Sequence, residues 1–94
     1  MQIKEPAIAG TLESSDVLVE MTPGSDTLEI ELNSPVKAQF GESILASVQE
    51  ILKENKIENG HVKLDDHGAL DCTIRARVLT CLRRASGQEN GGEA

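Results

Sequence analysis

Leu28-Glu29-Ile30-Glu31-Leu32-Asn33-Ser34-Pro35-Val36 contains the change of period on which the fold turns. Up to Asn33 apolar and polar residues alternate, the pattern of a strand with one buried face. From Val36 onward the apolar residues recur at spacings of three and four: Val36, Phe40, Ile44, Val48, Ile51 and Leu52. That is the stripe of an amphipathic helix, with Gln39, Glu42, Gln49, Glu50 and Lys53 on its other side. Ser34 is expected as the N-cap and Pro35 as the first helical residue, where a missing N–H costs nothing. Asn55, Asn59 and Gly60 mark the exit.

Toward the N-terminus, Val17, Val19 and Met21 alternate with Leu18 and Glu20. Thr22-Pro23-Gly24-Ser25-Asp26 separates them from Leu28, and this cluster of turn formers predicts a hairpin. An earlier strand, Ala7 to Glu13, is expected to pair with the first through a tight turn at Ser14-Ser15. Toward the C-terminus, Val62 and Leu64 alternate with His61 and Lys63, a short fourth strand ended by Asp65-Asp66-His67-Gly68. Leu70, Cys72, Ile74, Ala76 and Val78 fit a strand, but Leu70, Ile74, Val78, Cys81, Leu82 and Ala85 fit a helix. The helical pattern runs further, and Arg83-Arg84 suits a helix C-terminus, so a helix is predicted. The order β-β-β-α-β-α implies an α+β two-layer sandwich. A three-stranded meander and a fourth strand would form one four-stranded sheet, with two helices on one face. If the fourth strand is parallel to the third, the first helix makes a right-handed crossover. Residues 1–86 read as one domain, and residues 87–94, lacking an apolar anchor, as a disordered tail.

Composition narrows the function. The chain has 94 residues, enough for one modest core. With one Phe and no Tyr or Trp, that core must be aliphatic, and a deep aromatic-lined pocket is not expected. A net charge of −7 argues against a nucleic-acid partner, which needs Lys and Arg to displace phosphate counterions. No stretch approaches the roughly 20 apolar residues of a membrane span, and nothing resembles a signal peptide. No membrane partner is expected, and the location is expected to be cytoplasmic. Cys72 and Cys81 should then be free thiols. On one helix they would lie about 13 Å apart along the axis, on opposite faces.

Most candidate sites are weak. His61 and His67 beside Asp65 and Asp66 are read as solvated rather than as a metal site. Arg75, Arg77, Arg83 and Arg84 are read first as a solvated helix face, and second as a strip for phosphate or a partner. There is no phosphate-binding glycine loop, and no spacing of Ser, His and Asp proposes a catalytic base. No catalytic residue and no metal ligand is assigned.

Ala9-Gly10-Thr11-Leu12-Glu13-Ser14-Ser15-Asp16 stands apart. From residue types alone it is a turn between two strands. It resembles, however, the modification site of the citrate lyase acyl carrier proteins, in which an AGTLESxD-type segment presents a serine for a prosthetic group. The matching residue is Ser14, and Gly is the residue expected where Ser15 stands. The segment around Ile3 to Met21, the VKAQFG block at Val36 to Gly41, and the block DDHGALDCTIRARV from Asp65 with its LxRAS ending resemble the same family. The likeness runs from about Ile3 to Ser86.

The resemblance implies that Ser14 Oγ is esterified, through a phosphodiester made by a dedicated transferase, to 2'-(5''-phosphoribosyl)-3'-dephospho-CoA. It implies a non-catalytic carrier in a multi-subunit citrate lyase, partnered by the alpha and beta subunits. Its thiol arm would carry acetyl and citryl thioesters as citrate is split to acetate and oxaloacetate. The carrier subunit of malonate decarboxylase, with the same type of group on a similar turn, is the nearest alternative. An unmodified protein–protein adaptor is the other. Residues 1 to 35 hold seven acids and one Lys, so a partner meeting the Ser14 end is expected to be basic.

Overall fold

Strand β3 (Leu28–Asn33) and helix α1 (Lys37–Glu54) bracket the change of period in a computed structural model that describes residues 1–24 and 26–87. Around them lie β1 (Ala7–Gly10), β2 (Val17–Thr22), β4 (Gly60–Asp66) and α2 (Asp71–Ala85). The order is the expected β-β-β-α-β-α, a small α+β fold. Alternate strand residues Val17, Val19, Met21, Leu32, Val62 and Leu64 are buried on one face. Helix α1 presents Ile44, Val48, Ile51 and Leu52 to this aliphatic core, and α2 presents Ile74, Val78, Cys81, Leu82 and Ala85. Each fully buried aliphatic side chain stabilises by about 1.5–3 kcal/mol, so the two stripes hold the helices on the sheet.

The expected meander is not formed. The sheet order is β1-β2-β4-β3. β1 and β2 pair antiparallel, as do β2 and β4, whereas β3 lies parallel to β4. The 22–26 segment therefore joins strands that are not neighbours. Burial gives the reason. β2 and β4 carry Val17, Val19, Met21, Val62 and Leu64 at 0% exposure and need a neighbour on both sides. β3 leaves Leu28 and Ile30 half-buried, which suits an edge. The parallel pair is closed by α1, the kind of long crossover that parallel strands require.

Several boundaries also shift. β1 ends at Gly10 instead of Glu13, and β4 runs on through Asp65 and Asp66. Helix α1 starts at Lys37, with Val36 at the cap position, two residues later than expected. Ser34 is drawn into the tertiary structure instead: its Oγ donates to Asp66 Oδ2 at 2.8 Å and accepts from the Val36 N–H at 3.2 Å. Phe40 and Leu70 leave their predicted stripes and are mainly exposed. Only Gly87 of the expected 87–94 tail lies within the described residues.

This topology gathers six element ends at one pole. The C-termini of β1, β3 and β4, and the N-termini of β2, α1 and α2, all lie there. The Ser14 turn bridges two of them.

Candidate functional site

Residues 11–16 leave β1 and enter β2 through a tight turn. The Asp16 N–H donates to the Glu13 C=O at 3.1 Å, so Ser14 and Ser15 are its two central residues. Ser15 has φ +67°, the left-handed region that favours Gly. That is the physical content of a Gly being expected at position 15. The Ser15 N–H donates to the His67 C=O at 2.7 Å, and the His67 N–H donates to the Asp16 C=O at 2.9 Å. These two bonds extend the β2–β4 ladder one step beyond Val17 and Asp66. Ser14 is exposed, and among the described residues neither its N–H nor its hydroxyl makes a hydrogen bond. Ser15 is also exposed and its hydroxyl also unbonded among the described residues, so the two serines differ in their backbone: one amide is tied and the other free.

Asp16 organises the loop. Its Oδ2 accepts from Thr11 Oγ1 at 2.7 Å and its Oδ1 from the Val17 N–H at 2.8 Å. The Arg77 guanidinium grips both oxygens, Nε on Oδ1 at 3.0 Å and Nη2 on Oδ2 at 2.9 Å. Thr11 Oγ1 in turn accepts from the Glu13 N–H at 3.2 Å. Arg77, then Thr11 and the Val17 amide, hold the Asp16 carboxyl well below the usual carboxylate range. Only 13% of the Asp16 side chain is exposed. Such a two-pronged, charge-assisted contact fixes orientation as well as position.

An Asp in a turn commonly binds nearby backbone N–H groups, and Asp16 binds the Val17 amide in this way. Arg77 is not foreseen, because no local pattern links residues 61 positions apart. Three of the four arginines of α2 are more engaged than a solvated face would be. Arg75 bridges Glu50 at 2.6 Å and Asp71 at 2.8 Å, and Arg84 donates to the Ile8 C=O at 2.9 Å. His61 lies 3.5 Å from Glu31 on the open face of the sheet, whereas His67 contributes its backbone to the serine turn. Among the described residues no group of three or more His, Cys, Asp or Glu side chains is placed to hold a metal ion. None of their helices is long and apolar enough to cross a membrane.

Asp66 shapes the rest of the pole. Its Oδ1 accepts from the Gly68 and Ala69 N–H groups at 3.2 and 2.9 Å, which folds the chain sharply from β4 into α2. Leu12, Phe40 and Leu70 stand exposed at this pole, at 58%, 55% and 70%. Exposed apolar side chains thus share this pole with an accessible hydroxyl, and Phe40 and Leu70 border a cleft that Ser14 does not line.

Residues 4–85 match the family model described as malonate decarboxylase delta subunit (MdcD). A citrate lyase acyl carrier protein of Treponema denticola is 51% identical over 86 residues, covering 92% of this chain and 98% of the relative. Another, from Haemophilus influenzae, is 49% identical over 100% of this chain and 98% of its own length. A third, from Oenococcus oeni, is 43% identical over 96% and 93%. Among solved structures, a chain of a Pseudomonas malonate decarboxylase hetero-tetramer in complex with malonate shares the fold. It superposes with a TM-score of 0.71 at 19% identity, covering 88% of this chain and 86% of that one.

Proposed function

This chain belongs to the citrate lyase acyl carrier protein family, and on that premise we propose that it carries acyl groups for a citrate lyase on a prosthetic group esterified to Ser14. The observation that carries the assignment to Ser14 is the asymmetry of the turn. Both serines are exposed with unbonded hydroxyls among the described residues, but Ser15 is tied by its amide to His67 and sits at φ +67°, whereas the Ser14 amide is unbonded. An acceptor hydroxyl has to enter another enzyme's active site, and the free apex of a turn is suited to that.

The group fitting both the family and the site is phosphoribosyl-dephospho-CoA. A solvent-facing hydroxyl without an internal partner has room for a phosphodiester, and small exposed neighbours at Thr11 and Ser15 leave access for a transferase. In the loading step Ser14 Oγ bonds to the phosphorus of an activated donor. The donor's bond to its leaving phosphate breaks, and the hydroxyl proton passes to a base on the transferase or to water. Once attached, the group supplies a terminal thiol that holds acyl units as thioesters. The protein's own part is tethering, which makes each encounter with a lyase active site intramolecular. The alpha and beta subunits of citrate lyase are the proposed partners, in the cytoplasm.

The matching family model bears the malonate decarboxylase description, which keeps that complex as the second reading. Identities of 43–51% over nearly the whole chain to citrate lyase acyl carrier proteins favour the first. Co-expression with the lyase subunits and the transferase tests it: the chain should co-purify with both lyase subunits and gain the mass of one prosthetic group. Co-purification with malonate decarboxylase subunits in their place would move it to the second reading.

A further inference from the structure

Two serines stand side by side in the turn, both exposed, and residue chemistry does not distinguish them. The transferase must nonetheless bring one hydroxyl in line with a phosphorus atom. What differs between the two serines is set by the backbone around them, and that backbone is held from helix α2. Arg77 reaches across the pole and clamps both carboxylate oxygens of Asp16. Asp16 in turn holds Thr11, and Thr11 holds the Glu13 amide. The chain of contacts ends on the residue before Ser14 at one side and the residue after Ser15 at the other. On the inner side the stem of Arg77 lies against Gly10, where an added Cβ would meet Arg77 Cδ at 3.3 Å. Both stems of the turn are therefore fixed by the same side chain, 61 positions away in sequence.

We propose that Arg77, acting through Asp16, is a positioning residue that selects Ser14 over Ser15 as the acceptor. This rests on the reading of Ser14 as the attachment site and adds the device that makes the site specific. With the clamp closed, the Asp16 N–H reaches the Glu13 C=O and Ser15 stays in the left-handed region, amide bonded to His67. Ser14 is then the residue at the apex. With the clamp open, only the backbone bonds to His67 and Glu13 are left to hold Ser15 at φ +67°, against the resistance of an L residue to that conformation. Ser15 then relaxes, and the two hydroxyls compete. The covalent step is unchanged: one serine O–P bond forms, the donor's bond to its leaving phosphate breaks, and the serine proton departs.

The test loads apo protein with the transferase and its activated donor, reading initial rates and, by peptide fragmentation, the serine that carries the adduct. Wild type should load at Ser14 alone. Arg77→Gln should load about tenfold to a hundredfold more slowly, the scale expected when a reacting atom is misplaced by an ångström or so, and should place part of the adduct on Ser15. Arg77→Lys, which keeps the charge without the fork, should fall between the two and also reads the effect should Arg77→Gln unfold. Ile74→Val, trimming a buried methylene of the same helix, should load at the wild-type rate and at Ser14 alone. A merely structural role for Arg77 would slow loading without moving the adduct. Wild-type rates with adduct on Ser14 alone in the folded Arg77 variants, or slowing without a shift to Ser15, would overturn the positioning role only. Loading of wild type at Ser15 would overturn the attachment site as well.

Discussion

The Val17 carbonyl approaches Gly10 at the base of the serine turn so closely that a Cβ on Gly10 would stand 1.9 Å from its oxygen. Gly10 also has φ +95°, where L side chains are strained. The last residue of β1 and the first of β2 can meet this closely only because one of them has no side chain. Gly10→Ala is therefore predicted to destabilise the domain by at least about 2 kcal/mol. That corresponds to a drop in melting temperature of roughly 8–16 °C for a domain of this size, measured by circular dichroism. A drop below about 2 °C would show that the β1 exit bends freely.

Ser15→Gly should act in the opposite direction. Holding an L residue in the left-handed region costs about 1–2 kcal/mol, while Gly loses about 0.5–1 kcal/mol more backbone entropy on folding. The difference predicts a gain of up to about 1.5 kcal/mol, visible as a higher urea midpoint with unchanged slope. Loss of stability on this substitution would mean that the Ser15 side chain makes a contribution its backbone geometry does not show.

Acid stability follows from Asp16. Its folded-state pKa is depressed below the ordinary 3.8 by Arg77, Thr11 and the Val17 amide. A depressed carboxyl stabilises the fold fully above its unfolded value, and that contribution drains away as pH falls through the folded value. The stabilisation is thus intact at neutral pH and declines only below about pH 4. In Arg77→Gln the largest cause of the depression is gone, so between neutral pH and pH 3 the variant should lose less stability than wild type. Parallel curves for the two proteins over that range would show that the pair contributes nothing to folding.

The period-two run into Asn33 and the helical stripe after Val36 were enough to read the element order, because burial on one face imposes those periods directly. The strand order was not readable the same way. Thr22 to Asp26 announces a reversal of the chain, but which strand lies alongside depends on how much apolar surface each must cover on both sides. Only the packed structure shows that Met21 and Leu64 need central places while Ile30 tolerates an edge. Ser34 illustrates the same limit at one residue: a good helix cap by type, it is used by Asp66 from another strand. At the site, the serine turn was visible in residue types, whereas the Arg77 clamp on Asp16 was not, since a contact over 61 positions leaves no local signal.

The cysteines give an independent check on α2. Cys81 is fully buried, its thiol against the Ala7 and Val19 carbonyls at 3.4 and 3.5 Å, and burial pushes its pKa up to about 11. Cys72 is exposed near the start of the helix. Because the thiolate is the reactive form, a thiol reagent at neutral pH should modify Cys72 at least about tenfold faster than Cys81 in the native protein. Comparable rates would contradict the orientation of the helix.

The most direct measurement of the central claim is the intact mass of wild type, Ser14→Ala and Ser15→Ala, each co-expressed with the lyase subunits and the transferase. Wild type and Ser15→Ala should each gain the mass of one phosphoribosyl-dephospho-CoA in phosphodiester linkage and support citrate cleavage. Ser14→Ala should fold with unchanged circular dichroism, remain at its unmodified mass and give an inactive complex. An adduct on Ser14→Ala together with its absence from Ser15→Ala would contradict the account, as would a wild-type chain that supports citrate cleavage while unmodified.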